Sequence, residues 1–399
     1  MSFKPSLRLL LYEKTRLAEE LARKLGHERA GRAASDYHAR KAPVHCGATV
    51  HSVVGCTHEC TYCYLPDMGV SFSRAQPYAL SGEEMALALL SNPYFLPGPT
   101  GTYIAIGSLG EPLHPVGVSR TLEHIEALAR LRNPMQLSTK VAVSEELAQG
   151  LRRASGAALN PLVTVVALRG WRALEPKAPD PYSRLEGMAH LRRAGLHPML
   201  FLRPIVPGFE GEAAELLREA KRHGAAAVVL GGLRVTRSIL ARLERAGVDV
   251  KPILERVRGR VSERQVSVPM HDVKLELADE ARRAGLTPLY SACCANTLGV
   301  FLRTGQRIPC AGLDFTDDRH CARCPVDCRS IKVEVDPEEV ASAARELLGL
   351  RVERVEERGF RLVLAVRDAR GARRRLRERG GYRALIETAF RRRLDVEPV

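Results

Sequence analysis

The chain has 399 residues, 45% of them hydrophobic, and 61 Lys and Arg against 46 Asp and Glu give a formal charge of +15. No apolar run reaches the roughly 18 residues of a membrane-spanning helix, and the N-terminal MSFKPSLRLLLYEKTRLAEE carries only a short apolar patch between charges, too short for a secretory leader. The expectation is a cytoplasmic protein without a membrane partner, whose ten cysteines are metal ligands rather than disulfides. The basic excess favours a polyanionic partner such as nucleic acid, although an Arg-rich composition also follows from a GC-rich genome or a hot habitat.

In chain order, residues 7–27 place Leu10, Leu17, Leu21 and Leu25 at helical spacing between charges, which predicts an amphipathic helix and then an irregular basic connection through Lys41. From residue 48 strands and helices alternate. Strands are expected over 48–54, 102–107, 135–139, 162–168, 198–205 and 226–233. Helices are expected over 81–90, 119–131, 144–154, 182–194 and 212–223. Six apolar strands separated by helices imply a parallel sheet covered by helices, either an open doubly wound sheet or a partial barrel.

The most informative stretch is GCTHECTYCYLPD, residues 55–67. Cys56, Cys60 and Cys63 form a C-x3-C-x2-C array at the end of the first strand. Three soft ligands on one tight loop suit an iron–sulfur cluster, and three rather than four leave one iron open to a ligand. Half of a zinc site or plain buried thiols are the alternatives. A zinc site needs a fourth ligand, and none of His45, Cys46, His51 and His58 extends the array with zinc-finger spacing.

The array, with aromatic Tyr62 before its last cysteine, resembles the signature of the radical S-adenosylmethionine (SAM) superfamily. That resemblance implies a 4Fe-4S cluster on Cys56, Cys60 and Cys63, SAM as cofactor, an external flavodoxin- or ferredoxin-like reductant, and a partial (β/α)6 TIM-like barrel with its chemistry at the strand C-termini. GSLGEPLHP, residues 107–115, resembles the family's GGEP motif, so that Gly110 would admit backbone contact with the methionine end of SAM and Glu111 would meet its ammonium group. In LSTK, residues 137–140, Ser138 and Thr139 would bond ribose or carboxylate and Lys140 would neutralise the SAM carboxylate. Residues 174–208 resemble the matching region of spore photoproduct lyase and related photolyase-like proteins. There Arg184 would grip a carboxylate or hydroxyl of SAM, and Arg203 would line the barrel mouth or pair with a buried carboxylate. The resemblance spans roughly residues 45–235. One departure is informative: no cysteine occurs between Cys63 and Cys293, where the spore enzyme is understood to keep a hydrogen-donating thiol, and this argues against that particular repair reaction.

QVSVPMHD, residues 265–272, reads as a loop across the barrel mouth. A second cysteine group follows: Cys293, Cys294, Cys310, Cys321, Cys324 and Cys328. Its density implies metal, either a second iron–sulfur cluster or a zinc ribbon. Asp314, Asp317, Asp318 and His320 in the long spacer read as loop residues. Residues 331–399 read as a small basic α+β appendage, with strands in IKVEV and over 360–366 and helices at PEEVASAARELLGL and through the closing residues. In RDARGARRRLRERGGYRALIETAFRRRL, a cationic strip with Tyr382 and Phe390 would track phosphates and stack bases, while Leu376, Leu385, Ile386 and Leu394 would face a core.

The expected organisation is a helical extension over 1–44, the barrel over 45–250, a capping and Cys-rich metal segment over 251–330 and the appendage over 331–399. The function implied by the resemblance is reductive cleavage of SAM to a 5′-deoxyadenosyl radical that acts on a nucleic-acid base. The alternatives are a peptide or small metabolite as substrate, or a redox- or SAM-sensing protein without turnover.

Overall fold

A computed structural model describes residues 4–43, 47–70, 72–156, 158–310 and 324–399. Seven strands form one parallel sheet: β1 (Ala48–Val50), β2 (Ile104–Ile106), β3 (Met135–Thr139), β4 (Leu159–Thr164), β5 (Met199–Ile205), β6 (Ala227–Gly232) and β7 (Thr287–Leu289). Each pairs only with its neighbours in sequence, so β1 and β7 are the edges. A doubly wound sheet reverses its strand order at a switch point. This sheet never reverses, which is the winding of a barrel left open along one side.

Period-two alternation divides the strand residues between two faces. Val163, Leu200, Leu202, Val228 and Leu230 pack into the main core with the helices between strands, namely α2 (Gly82–Ser91), α3 (Val118–Ala129), α4 (Glu145–Ser155), α5 (Pro181–Arg193), α6 (Ala213–Arg222), α7 (Arg237–Arg245) and α8 (His271–Arg283). The alternate residues Leu162, Met199, Ala227 and Val229 pack against Ala295 and Leu298 of α9 (Ala292–Thr304), which covers the other face. Helix starts follow capping chemistry: Ser81 and Glu84 close a reciprocal capping box on α2, Ser144 caps α4, and Asp180 with Pro181 opens α5.

The structure corrects several expected boundaries. The first strand breaks after Val50, because Val53–Val54 pairs antiparallel with Gln76–Pro77 instead of joining the sheet. The fourth starts at Leu159 and ends at Thr164, so residues 165–168 leave the sheet although Val165, Val166, Ala167 and Leu168 are buried. The sheet also continues beyond residue 250, since the segment expected to cap the barrel supplies β7. The N-terminal helix α1 runs over Leu7–Ser35, with a break at Gly26 (φ 76°).

Residues 354–398 form a second sheet: β8 (Arg354–Arg358) pairs antiparallel with β9 (Arg361–Val366), which pairs parallel with β10 (Arg393–Pro398). Packed with it are α10 (Pro337–Leu348), α11 (Ala369–Glu378) and α12 (Gly380–Phe390). IKVEV is not one of its strands, and a strand, not a helix, closes the chain. Helix α1 joins the two bodies. Leu7 belongs to the C-terminal core, Glu339 accepts hydrogen bonds from Ser6 Oγ (3.0 Å) and the Arg8 N–H (2.7 Å), and at the far end Arg32 pairs with the buried Glu84 of α2.

Candidate metal and cofactor site

A cavity of about 730 Å³ opens at the C-terminal ends of the sheet strands. Cys56, Cys60 and Cys63 line it, together with Tyr62, Gly110, Glu111, Ser138, Thr139, Lys140 and Arg203. Residues on or just after all seven strands of the parallel sheet therefore converge on one space. Phe201, Arg234, Glu263 and Gln265 also line it. The last two belong to the segment leading into Val266–Ser267, which pairs with Arg234–Val235 beside the opening.

The cysteine loop is strapped down along its length. Gly55 donates its N–H to Leu109 O (2.8 Å) and bridges Gly110. Thr61 donates its N–H to Leu174 O (2.9 Å) and its hydroxyl to Ala173 O (3.1 Å). Arg242 of α7 donates to Thr61 O (3.2 Å), to Cys63 O and to Asp67 (3.4 Å). Spread over three elements, these bonds hold the loop without using any of the three thiols.

Burial pushes the Cys56 thiol up to about 11 and raises those of Cys60 and Cys63, so these thiols are protonated until a cation displaces their protons. Among the described residues no three His, Cys, Asp or Glu side chains converge on a single metal ion. A cubane cluster makes a different demand, with each thiolate ligating its own iron, and three adjacent thiols facing one cavity fit that requirement.

The neighbouring polar residues are arranged differently from the sequence expectation. Glu111 is buried and its carboxylate already accepts from Thr139 Oγ1 (2.6 Å), the Lys140 N–H (2.9 Å) and the Leu113 N–H (3.1 Å), with His58 Nε2 at 3.7 Å. Burial acts against its charge, but His58 and these donors together hold the carboxyl below its usual range. Glu111 thus braces the loop after β3 against the loop after β2. Gly110 is needed for backbone packing: a Cβ there would lie 2.4 Å from Gly55 O and 2.8 Å from Val53 O.

Arg184 departs furthest from expectation. It is absent from the cavity wall and fully buried beneath it, where it donates to Glu175 (2.6 Å) and to Thr164 O (2.8 Å). Arg203 resolves the other way, lining the cavity with its guanidinium 5.9 Å from the Phe201 ring. Sequence reasoning missed Glu175 and Arg242. An acidic residue in a Pro-rich loop and an arginine on an amphipathic helix have no local signature, and only their distant partners reveal them.

In the second cysteine group, Cys294, Cys324 and Cys328 border the apolar cluster on the α9 face. The Cys310 N–H approaches Cys328 Sγ at 3.5 Å, while Cys293 is buried with its Sγ 3.1 Å from Ser291 Oγ. None of these lines the cavity, although Ala292 beside them does. Cys321, Asp314, Asp317, Asp318 and His320 lie outside the described residues, as do His45 and Cys46.

The C-terminal strip is largely occupied internally. Arg373 holds Val396 O, Arg375 holds Gly349 O and Arg379 holds Leu347 O. Phe390 is buried and unavailable for stacking, and Tyr382 sits edge-on to Tyr94 with 5.0 Å between centroids. Leu376, Leu385, Ile386 and Leu394 are buried in the C-terminal core, as their spacing predicts. Among the described residues no helix is long and apolar enough to cross a membrane.

Sequence-ordered parallel winding, an open side and a cavity over the strand C-termini define a partial (β/α) barrel. The fold is shared with solved structures of spore photoproduct lyase. A double mutant carrying AdoMet and dinucleoside spore photoproduct superposes with a TM-score of 0.50 at 17% identity, over 61% of this chain and 76% of that one. Streptococcus suis SuiB bound to S-adenosylmethionine gives a TM-score of 0.38 at 11% identity, over 71% and 54%. No protein-family profile and no curated protein matches the sequence.

Proposed function

We propose that this chain is a radical SAM enzyme. The observation that carries the reading is that Cys56, Cys60 and Cys63 face a cavity at the strand C-termini which also holds Lys140, Tyr62 and the Ser138–Thr139 hydroxyls. The three thiolates would hold a 4Fe-4S cluster and leave its fourth iron for the amino and carboxylate groups of SAM. Bound there, such a cluster supplies the electron that splits SAM into methionine and a 5′-deoxyadenosyl radical. The chain's own part is to orient and to exclude water. Lys140 offers a cation to the SAM carboxylate, Ser138 offers a hydroxyl, Thr139 holds Glu111 in place, and Arg242 keeps the cysteine loop in place. An external flavodoxin- or ferredoxin-like reductant and the reducing cytoplasm complete the reading.

A nucleic-acid base is the substrate we favour. Three things support it: the +15 formal charge, a cavity lining that includes Phe201, Arg203 and Arg234, and the dinucleoside held by the fold relative. The C-terminal cysteines are assigned a second metal, an iron–sulfur cluster or zinc.

The test is anaerobic reconstitution with iron and sulfide, metal counting, reduction, and chromatography for 5′-deoxyadenosine. About eight irons indicate two cubanes, and about four with one zinc indicate a ribbon. A reduced, iron-loaded protein that never yields 5′-deoxyadenosine refutes the reading. Single-stranded DNA binding that weakens steeply with salt supports the nucleic-acid substrate, and its absence at low salt removes it.

A further inference from the structure

Beside the cysteine loop, a chain of polar contacts runs from the cavity-lining Tyr62 and Lys140 to two buried residues that do not line it. Glu175 is fully buried and divides its two oxygens between two sides. Its Oε2 accepts from Arg184 Nη1 at 2.6 Å. Its Oε1 accepts the Tyr62 hydroxyl and lies 4.0 Å from Lys140 Nζ. Lys140 in turn stands 5.6 Å from the centroid of the Tyr62 ring, and both side chains line the cavity. Glu175 follows the short helix Trp171–Leu174, whose carbonyls hold Thr61 of the cysteine loop. One carboxylate thus ties together the aromatic residue between Cys60 and Cys63, the cavity's lysine and the arginine of α5.

Charge counting explains why both cations are needed. A lone Glu175–Lys140 pair would be neutral and would offer nothing to an anionic ligand. A lone buried carboxylate would be costly. With Arg184 on the far oxygen, the triad carries two positive charges and one negative, so Glu175 can orient Lys140 without cancelling it. Arg184 delivers that effect from outside the cavity and touches no ligand.

We propose that Glu175 is a positioning residue: backed by Arg184, it fixes the Lys140 ammonium and the Tyr62 ring beside the cysteine loop, leaving the Lys140 charge available to the carboxylate of an amino-acid ligand. This inference rests on the radical SAM reading.

The test uses the reconstituted full-length protein and three variants: Glu175→Gln, Arg184→Met and the double variant. Two readouts are taken, the midpoint potential of the loop cluster and the equilibrium affinity for SAM. Removing the carboxylate leaves excess positive charge and moves the potential upward. Removing the guanidinium moves it downward, and the double variant lies between. SAM affinity falls about tenfold or more in Arg184→Met, because Glu175 then neutralises Lys140, and recovers at least threefold in the double variant. A merely structural triad shifts all three variants in one direction or none, and that result overturns the proposal. If a single variant does not fold, Tyr62→Phe carries the test: it removes the hydroxyl that Glu175 accepts, SAM affinity should fall, and an affinity equal to wild type overturns the proposal. A wild-type protein that binds no iron, or binds iron but not SAM, refutes the radical SAM reading itself, whereas failure confined to the variants refutes only the role of Glu175.

Discussion

The two cysteine groups look alike as clusters of thiols, and the fold treats them differently. The first occupies a loop at the C-terminal edge of the parallel sheet, pinned by Arg242 and by the segment ending in Glu175, with its thiols facing a cavity. The second lies along α9 and the 324–330 segment, with Cys294, Cys324 and Cys328 against an apolar cluster on one face of the sheet. Cysteine density alone does not tell the two groups apart. The fold does: the first group stands over strand C-termini, where several loops converge on a cavity, and the second lies beside an apolar cluster on one face of the sheet.

The largest effect that tests this contrast is loss of the first group. Cys56→Ala, Cys60→Ala and Cys63→Ala should each reduce 5′-deoxyadenosine formation to background, a fall of at least about a thousandfold on the scale of a catalytic group, while metal on the second group persists. Cys324→Ser or Cys328→Ser should show the reverse pattern. Metal bound outside the cavity is lost and the melting temperature falls by about 4 °C or more, since a structural metal contributes folding free energy. Retained activity in the first set, or loss of all iron in the second, would break the comparison.

Removing the strap without touching a thiol sharpens it. Arg242→Met should cost about 2 kcal/mol, because it strips donors from two loop carbonyls and the carboxylate of Asp67. It should also lower iron retention after gel filtration. Gly110→Ala should cost about 1–3 kcal/mol through overpacking, since its Cβ has no room beside Gly55 O. Both are measured by denaturant unfolding.

The last effect is a pH dependence. His51 lies under the first loop with Nδ1 3.2 Å from Ser108 Oγ, and burial and the neighbouring His38 hold its pKa at about 4. The folded protein thus binds the proton more weakly than the unfolded chain, whose histidine titrates near 6.5. Its stabilising effect is complete above pH 6.5 and is lost as pH falls toward 4, at about 1.4 kcal/mol per pH unit. Between pH 7 and 5 this group should cost about 2 kcal/mol of stability, and His51→Asn should narrow the gap between unfolding curves at those two pH values. An unchanged gap would place the acid sensitivity elsewhere.

Much of this architecture is legible in contiguous residues. The strand over 135–139 agrees with β3 end to end, five interstrand helices fall within about a residue or two of their expected bounds, and all three loop cysteines face the cavity. Periodicity, caps and ligand spacing are properties of neighbouring residues, so the chain itself carries them. The short β7 was hidden because three residues, Thr287–Leu289, have too little periodicity to stand out. The role of Arg184 was hidden for another reason. A buried ion pair and an exposed ligand contact use the same side chain on the same helix, and only burial separates them.

By itself, then, the amino-acid order determined an alternating α/β chain wound around a parallel sheet, with three thiols presented together on one loop. Folding alone decided that Glu111 braces two loops, that Gly110 makes room for Gly55, and that Tyr62 meets a carboxylate 113 positions away. The physical reason is one of range: backbone preference and residue spacing act over a few neighbours, whereas charge pairing and close packing depend on which distant segments the finished sheet brings into contact.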